Sequence, residues 1–407
     1  MAERKLVKES QFNLLQKITL FLLVLAGMSF LGRDKMICVL TCVLFLFCKT
    51  KFVVDGNVFT LLVVSVSWIV FAPPLSNIVF QIIRPLAYPL AYCAGLNFLS
   101  EKENLEKSEK QLRTAIIVVS IGPFIRFLLN FLSNMGKAVD RSTNDFWTGE
   151  ALAATIQAAL SLMVLVVAIV TLFTNARGRH KALSVLILVA IFIYNLTLAG
   201  RTLFVMLALI FMVSLLFLMI KGNRRSNKYK TLLVITIVIL IVAVLYNINA
   251  FGIQDAFESS NFYDRFFGQW GKDLDEDSRM NNKMEYLANF SRSIWGGVRL
   301  RPYYGYAHDI FLDTYDEAGI FALIAMLLFI GSAVVRLVSC LQNRLFKFET
   351  QQLILAMYFA MLVQFMIEPI LQGLAWLFML FCFIHGMVTR LDKTSRKRPN
   401  YLIDSED

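Results

Sequence analysis

Charge is scarce in this chain. Lys, Arg, Asp and Glu make up 17% of its 407 residues, against about 25% in an ordinary soluble domain. Hydrophobic residues account for 57%, more than one soluble core of this size can bury, so the excess must face lipid. The net charge of +11 does not point to nucleic acid. It is spread over short loops between apolar runs, the topology signal of a membrane protein, and no stretch is polar enough to fold into a basic binding face. Cysteine is rare too. Cys38, Cys42, Cys48, Cys93, Cys340 and Cys382 lie in apolar runs or beside short loops. None falls in the one long polar segment and none has CxxC or Cys/His spacing, so neither disulfides nor a zinc site is expected. Histidine is limited to His180, His308 and His385. There is no internal repeat, no low-complexity tract and no inverted symmetry of the two halves, which weighs against a transporter. No small-residue cleavage site follows the first apolar run, which is therefore expected to stay in the membrane.

What is present is a succession of apolar runs near bilayer length: 12–31, 36–50, 53–72, 77–99, 112–134, 151–174, 182–199, 202–220, 231–251, 310–335, 351–368 and 371–389. The expected fold is all-α, a polytopic transmembrane helical bundle of about twelve spans with one large outer loop. Lys and Arg crowd alternate loops, among them Lys102, Lys107, Lys110 and Arg113, then Arg177, Arg179 and Lys181, then Lys221 to Lys230. The intervening short loops hold only Arg33, Lys35, Lys137, Arg141 and Arg201. The positive-inside rule then places both termini in the cytoplasm. Four regions follow: an N-terminal bundle of about nine spans over 1–251, an outer segment over 252–309, C-terminal transmembrane helices over 310–390, and a cytoplasmic tail over 391–407. The outer segment carries Phe262, Tyr263, Phe266, Phe267, Trp270, Trp295, Tyr303, Tyr304 and Tyr306. Disordered linkers lack that aromatic density, so it is expected to fold onto the membrane surface.

Candidate chemistry concentrates where this segment meets the next span. His308 is placed to titrate near neutral pH and take a proton from a hydroxyl; the alternative is an interface histidine that caps a helix. Arg201, at the turn of a tight apolar hairpin, and Arg279, Arg299 and Arg301 are candidates to converge on an anion, since guanidinium binds phosphate oxygens as a rigid charged fork. The alternative is solvation, or pairing with the acids of 273–277. Arg84 and Arg126 sit inside apolar runs beside Pro85 and near Pro123. A charge at that depth faces a cavity or a partner unless it snorkels to the interface. The prolines free backbone carbonyls locally. The acidic run 273–277 fails the EF-hand pattern, with Met284 at the final ligand position, and no metal is expected.

These residues carry a resemblance. His308 and Asp309, nine residues, Gly319, two residues and Ala322 resemble the signature of the O-antigen polymerase (Wzy-type) and O-antigen ligase superfamily. Asp309 stands where an amide or Ser is usual, and Ala322 where Gly is common. Ser278-Arg279-Met280 followed by Trp295-Gly296-Gly297 resembles the family's approach to that histidine, and Gly200-Arg201-Thr202 resembles its Ser-Arg-Thr turn. The resemblance implies a GT-C-like, metal-independent membrane glycosyltransferase without cofactor. It would sit in the bacterial cytoplasmic (inner) membrane with its active site on the outer face, and polymerise surface-polysaccharide repeat units from an undecaprenyl-pyrophosphate-linked donor onto a lipid-linked acceptor. His308 would be the general base. Arg201, Arg279, Arg299, Arg301, Arg84 and Arg126 would hold diphosphate and glycan, with Asp309, Glu317 and Gly319 in support. Partners would be the lipid bilayer, the lipid-linked glycans, and a flippase and chain-length regulator, with no nucleic acid. The rivals are a ligase of the same superfamily, a flippase or other transporter, and a non-catalytic scaffold.

Overall fold

The computed structural model describes residues 12–49, 51–73, 78–99, 104–134, 142–174, 176–198, 200–222, 236, 240, 243–260, 263 and 278–396. Much of the first half of the expected span 231–251, residues 264–277 with the acidic run 273–277, and the tail beyond 396 lie outside the described residues. The described chain is mostly helical: α1 (Leu14–Gly27), α2 (Asp34–Phe47), α3 (Gly56–Phe71), α4 (Ile78–Phe98), α5 (Leu105–Ser133), α6 (Ala154–Phe173), α7 (Gly178–Leu198) and α8 (Arg201–Lys221), then the short α9 (Ile253–Glu258), α10 (Ser278–Ala288) and α11 (Arg301–Tyr304), and finally α12 (Ile310–Gln342), α13 (Phe348–Phe365), α14 (Ile370–Gly373) and α15 (Ala375–Arg396). Six of these, α5, α6, α7, α8, α12 and α15, are long and apolar enough to cross a membrane. The helices α1 and α3 are apolar but shorter, and α2, α4 and α13 fall on runs expected to span. One element is not helical. Residues 134–151, expected as a loop, include a two-stranded antiparallel hairpin, β1 (Ser142–Asn144) against β2 (Ala151–Ala153), with Thr143 opposite Leu152.

Local signals set the helix starts. Asn13 and Gln16 form a capping box on α1, the Asn13 carboxamide accepting from Gln16 N at 2.8 Å and the Gln16 side chain accepting from Asn13 N at 3.0 Å. Asp55 caps α3 by accepting from Asn57 N at 3.2 Å. Pro89 inside α4 has no N–H for the carbonyl of Pro85, four residues back. The Ser65 hydroxyl of α3 donates to that carbonyl at 2.8 Å instead, which is how a proline helix survives in an apolar bundle.

The last helix is the innermost. Its apolar stretch is wholly buried in the bundle, and α4 packs along it. The crossing is tight because Gly95 and Gly386 face each other: a Cβ on Gly95 would strike the Phe383 carbonyl, and one on Gly386 the Tyr92 carbonyl. Around His385, buried on α15, lies a polar knot. Tyr358 Oη is 2.8 Å from its Nδ1, and Ser332 Oγ and Asn57 Nδ2 are 3.4 and 3.5 Å from its Nε2. The helices α7 and α8, by contrast, bury only about a third of their apolar stretch, the surface distribution of peripheral helices that face lipid.

Candidate functional site

The site begins with one face of α12. Asp309, Asp313, Asp316 and Glu317 follow an i, i+4, i+7, i+8 pattern, which places four acids side by side on a helix. All four are buried, and the last three each hold part of segment 289–309. Asp309 is the N-cap, accepting from Phe311 N at 3.0 Å and Leu312 N at 3.3 Å. Asp313 accepts from Ala307 N at 3.0 Å and Asp309 N at 3.2 Å. Asp316 accepts from Leu300 N at 2.8 Å, Arg301 N at 3.2 Å and the Ser293 hydroxyl at 2.9 Å. Glu317 accepts from Arg301 Nη1 and from Gln372 Nε2, both at 2.9 Å. His308 lies between the first two of these attachments with φ at 55°, a left-handed conformation uncommon outside glycine, held by the N–H bonds on either side of it.

Gly319 breaks α12 at φ 80°, ψ −172°. The interruption exposes the carbonyls of Asp316 and Glu317, and the backbone of 297–298 takes them: Gly297 N donates to Glu317 O at 3.1 Å and Val298 N to Asp316 O at 2.8 Å. Ile320 N in turn donates to Ile294 O at 2.9 Å. The two backbones touch. A Cβ on Gly296 would lie 2.6 Å from Glu317 O, and one on Gly319 would lie 2.7 Å from Ile294 O. That contact is the physical reason for the Trp295-Gly296-Gly297 and Gly319 pattern.

The helix α10 carries cations inward and apolar side chains outward. Arg279, Lys283 and Tyr286 repeat at helical spacing on the face toward the bundle, while Met280, Met284 and Leu287 are all more than half exposed. This is the polarity of a helix lying against lipid. Arg279 Nη1 donates to Ile367 O at 3.0 Å, and its Nη2 lies 3.2 Å from Glu368 Oε1. Lys283 Nζ donates to Met366 O at 2.6 Å and lies 3.5 Å from Asp309 Oδ2. Tyr286 Oη donates to Gly305 O at 2.8 Å, and burial, then Asp316 and Asp313, pushes this phenol well above its usual range.

The candidate residues distribute unevenly. Segment 366–373, between α13 and α15, gathers Arg279, Lys283 and, through Gln372 and Glu317, Arg301. Arg84 reaches the same segment from α4, donating to the Leu371 carbonyl and stacking over Trp68 with its guanidinium 5.1 Å from the ring centre. Arg301 also lies over the Tyr306 ring at 4.9 Å, and that ring meets His308 edge-on at 6.3 Å. Burial works against the charge on Arg301, but Glu317 and Tyr306 outweigh it and hold its pKa above the ordinary value. Arg201 starts α8, and the adjoining Gly200 packs on Ala154. The residue after Ala154, Thr155, sets its hydroxyl against Glu368. Arg126 stands apart, paired with Asp145 at 2.7 Å. Arg299 is exposed and joins none of these contacts.

Lys283, Asp316, Glu368 and Gln372 were not singled out from the sequence, and Asp313 only as part of the stretch that follows His308. The helical spacing of the acids after His308 was a signal for Asp313 and Asp316, because four acids at the mouth of an apolar run need partners. Nothing local marks Glu368 or Gln372. Chemically, the arrangement offers an imidazole in a fixed backbone conformation beside several cations whose hydrogen bonds go largely to carbonyl oxygens, at one end of an apolar bundle. No family model matches this chain, and no curated protein matches it.

Proposed function

We propose that the protein is a polysaccharide polymerase of the bacterial inner membrane, with about twelve spans, cytoplasmic termini and its working site on the outer face. It transfers a glycan from an undecaprenyl-diphosphate carrier to a hydroxyl of a lipid-linked acceptor sugar. The acceptor O–H gives its proton to His308, its oxygen bonds to the anomeric carbon of the donor, and the bond from that carbon to the diphosphate breaks. The diphosphate leaves with the electron pair, and the neighbouring guanidiniums offset the charge it gains. Arg279 and Arg301 are the groups best placed for this, with Arg201 and Arg84 at the margins and Lys283 beside Asp309. Asp309, Glu317 and Gly319 position the histidine and arginines.

The observation that carries the reading is the convergence of Arg84, Arg279 and Arg301 on segment 366–373, with Lys283 tying the same segment to the cap of the helix that His308 precedes. The test is reconstitution of the purified protein with a lipid-linked repeat unit, scored for longer glycans by gel. Wild type should give a ladder and His308→Ala none, with Arg279→Ala and Arg301→Ala at least a hundredfold slower, as for loss of groups that stabilise developing charge. Full activity of His308→Ala would overturn the reading. In cells, a deletion strain that accumulates long lipid-linked chains would instead place the enzyme as a ligase, which moves finished chains to another acceptor.

A further inference from the structure

The other end of the bundle carries a cavity of its own. The helix α12 starts at the His308 end and runs 33 residues away from it. The helix α13 returns, so Lys347 and Glu349, at its start, stand a full helix from His308. The first turns of α5 and the last turns of α6 meet them there. Between these three helices lies a cavity of about 410 Å³. Ile117 of α5, Val170 of α6 and Leu353 of α13 are among its walls, and its charged lining is Arg113, Lys347 and Glu349.

Two of these three charges are left over. Lys347 is committed within the chain: its Nζ lies 2.5 Å from Glu106 Oε1, and its backbone N donates to Glu109 Oε1 at 2.8 Å. Arg113 Nε is buried and has no hydrogen-bond partner among the described residues. Buried N–H groups are nearly always satisfied, so this one calls for an acceptor. Glu349 forms no hydrogen bond or ion pair among the described residues, with Arg113 or any other. A guanidinium and a carboxylate therefore line one cavity without meeting.

The matching ligand carries both charges. A phosphate suits the guanidinium, and an ammonium suits the carboxylate. The apolar walls favour a ligand with acyl chains, and so does the position, at the end where Lys107, Lys110, Arg177 and Arg179 gather. The ammonium is a primary one. It donates hydrogen bonds to a carboxylate, whereas a quaternary ammonium cannot and is recognised by aromatic faces. No aromatic ring lines this cavity among the described residues. An anionic headgroup without an amine would set its charge against Glu349.

We infer that the cavity between α5, α6 and α13 binds a phospholipid of the phosphatidylethanolamine type, with its phosphate on Arg113 and its primary ammonium on Glu349. The site lies at the end of the bundle away from His308 and does not depend on the proposed transfer reaction.

The test uses the contact between amine and carboxylate. A water-soluble carbodiimide condenses a carboxylate with a touching primary amine into an amide, with loss of water, and so joins the lipid to Glu349 where the two meet. The full chain is placed in phosphatidylcholine nanodiscs that hold phosphatidylethanolamine as a minor component. It is treated with the reagent and digested, and lipid-bearing peptides are quantified by mass spectrometry. The adduct on Glu349 should exceed that on Glu150, an exposed carboxylate between β1 and β2, at least about tenfold, as expected for charge-assisted hydrogen bonds. Octadecylamine, which has the amine and the chain but no phosphate, should show no such preference. Arg113→Gln should lower the lipid adduct at least about tenfold, and His308→Ala should leave it unchanged. Equal adducts on Glu349 and Glu150 overturn the inference. Octadecylamine as effective as the lipid overturns it too, because the phosphate contact would then count for nothing. Glycerophosphoethanolamine, the free headgroup, giving as much adduct as the lipid would reassign the cavity to a soluble zwitterion. These comparisons use the wild-type chain and decide the matter whether or not Arg113→Gln folds.

Discussion

Replacing Asp316 by Ala should loosen segment 293–301 without unfolding the bundle. The Asp316 carboxylate satisfies three donors: Leu300 N, Arg301 N and the Ser293 hydroxyl. Leu300 and Ser293 have no exposed surface, so their donors cannot turn to water where they lie. An unsatisfied buried donor costs about 1–3 kcal/mol, which for these two gives about 2–6 kcal/mol. The middle of that range is roughly a thousandfold in the ratio of closed to open segment, at 1.4 kcal/mol per tenfold. Hydrogen exchange followed by mass spectrometry is the assay, because it reads local opening separately from global stability. The Leu300 amide should exchange about a hundred- to a thousandfold faster in Asp316→Ala, while peptides of α15 stay as protected as in wild type. Asp316→Asn keeps one acceptor oxygen and should fall between. Asp313→Ala serves as the contrast, since it frees the Ala307 and Asp309 amides instead. Exchange at Leu300 within threefold of wild type in Asp316→Ala would refute the claim that this acid holds the loop, and with it the account of how Arg301 is presented.

Gly319→Ala puts a Cβ 2.7 Å from the Ile294 carbonyl at a φ of +80° and should cost at least about 3 kcal/mol, read as a melting point several degrees lower in detergent. Arg126→Met should cost about 3–5 kcal/mol by leaving the Asp145 carboxylate buried without its partner, and Asp145→Asn in the same chain should recover most of it. Burial by itself raises the Asp145 pKa, but Arg126 and the N–H groups of Thr148 and Trp147 outweigh it and hold the carboxyl below its usual value. The pair's contribution is therefore fully present above the ordinary carboxyl pKa of about 4 and fades as pH falls through the lowered one. The melting-point gap between wild type and Asp145→Asn should be flat from neutral pH to about 5 and close only below about 4. Arg299→Ala removes an exposed side chain and should change both stability and activity by less than twofold, about 0.4 kcal/mol or less, in thermal melts and glycan ladders.

The sequence exposes what repeats locally and hides what depends on distant chain. Apolar runs locate most of the described helices, with ends that differ by up to seven residues, as at Leu105, Gln342 and Arg396, because a run of apolar residues is local while a polar end continues the helix past it. The bundle's interior was not legible. The helix α15 is the least apolar of the six membrane-length helices and yet the most buried. Its polar residues, such as His385 and Thr389, look like surface features until Tyr358 and Tyr92 are seen against them. In the site, Arg299 and Arg301 are equivalent as sequence. The short helix α11 separates them by turning Arg301 toward Glu317 and leaving Arg299 outside. The partner of Arg279 is Glu368, far along the chain, and no spacing rule reaches it. Gly319 and Gly296 are the exception. Each was marked by a short motif because a close backbone contact admits no other residue, and such a constraint is written at the position itself.

The way these cations are held bears on what the site can do. Arg84 donates to the Leu371 carbonyl, Arg279 to that of Ile367 and Lys283 to that of Met366. The Met366 and Ile367 carbonyls lie just beyond the C-terminus of α13, where the helix dipole is negative and cations are favoured. A carbonyl satisfies a donor without cancelling its charge, whereas a carboxylate does both. Three of the site's cations also have a carboxylate: Arg279 pairs with Glu368, Lys283 lies beside Asp309, and Arg301 shares Glu317 with Gln372. Arg84 differs, held by the Leu371 carbonyl and the Trp68 ring, contacts that fix a guanidinium without cancelling its charge, the condition for stabilising negative charge on an incoming group. Removing the charge of Arg84 while keeping a donor separates this from mere structural anchoring. Arg84→Gln can still donate toward the Leu371 carbonyl, and should leave the melting point within a few degrees and lower glycan transfer at least about tenfold. Full transfer activity in Arg84→Gln would show that the charge of Arg84 serves the fold alone.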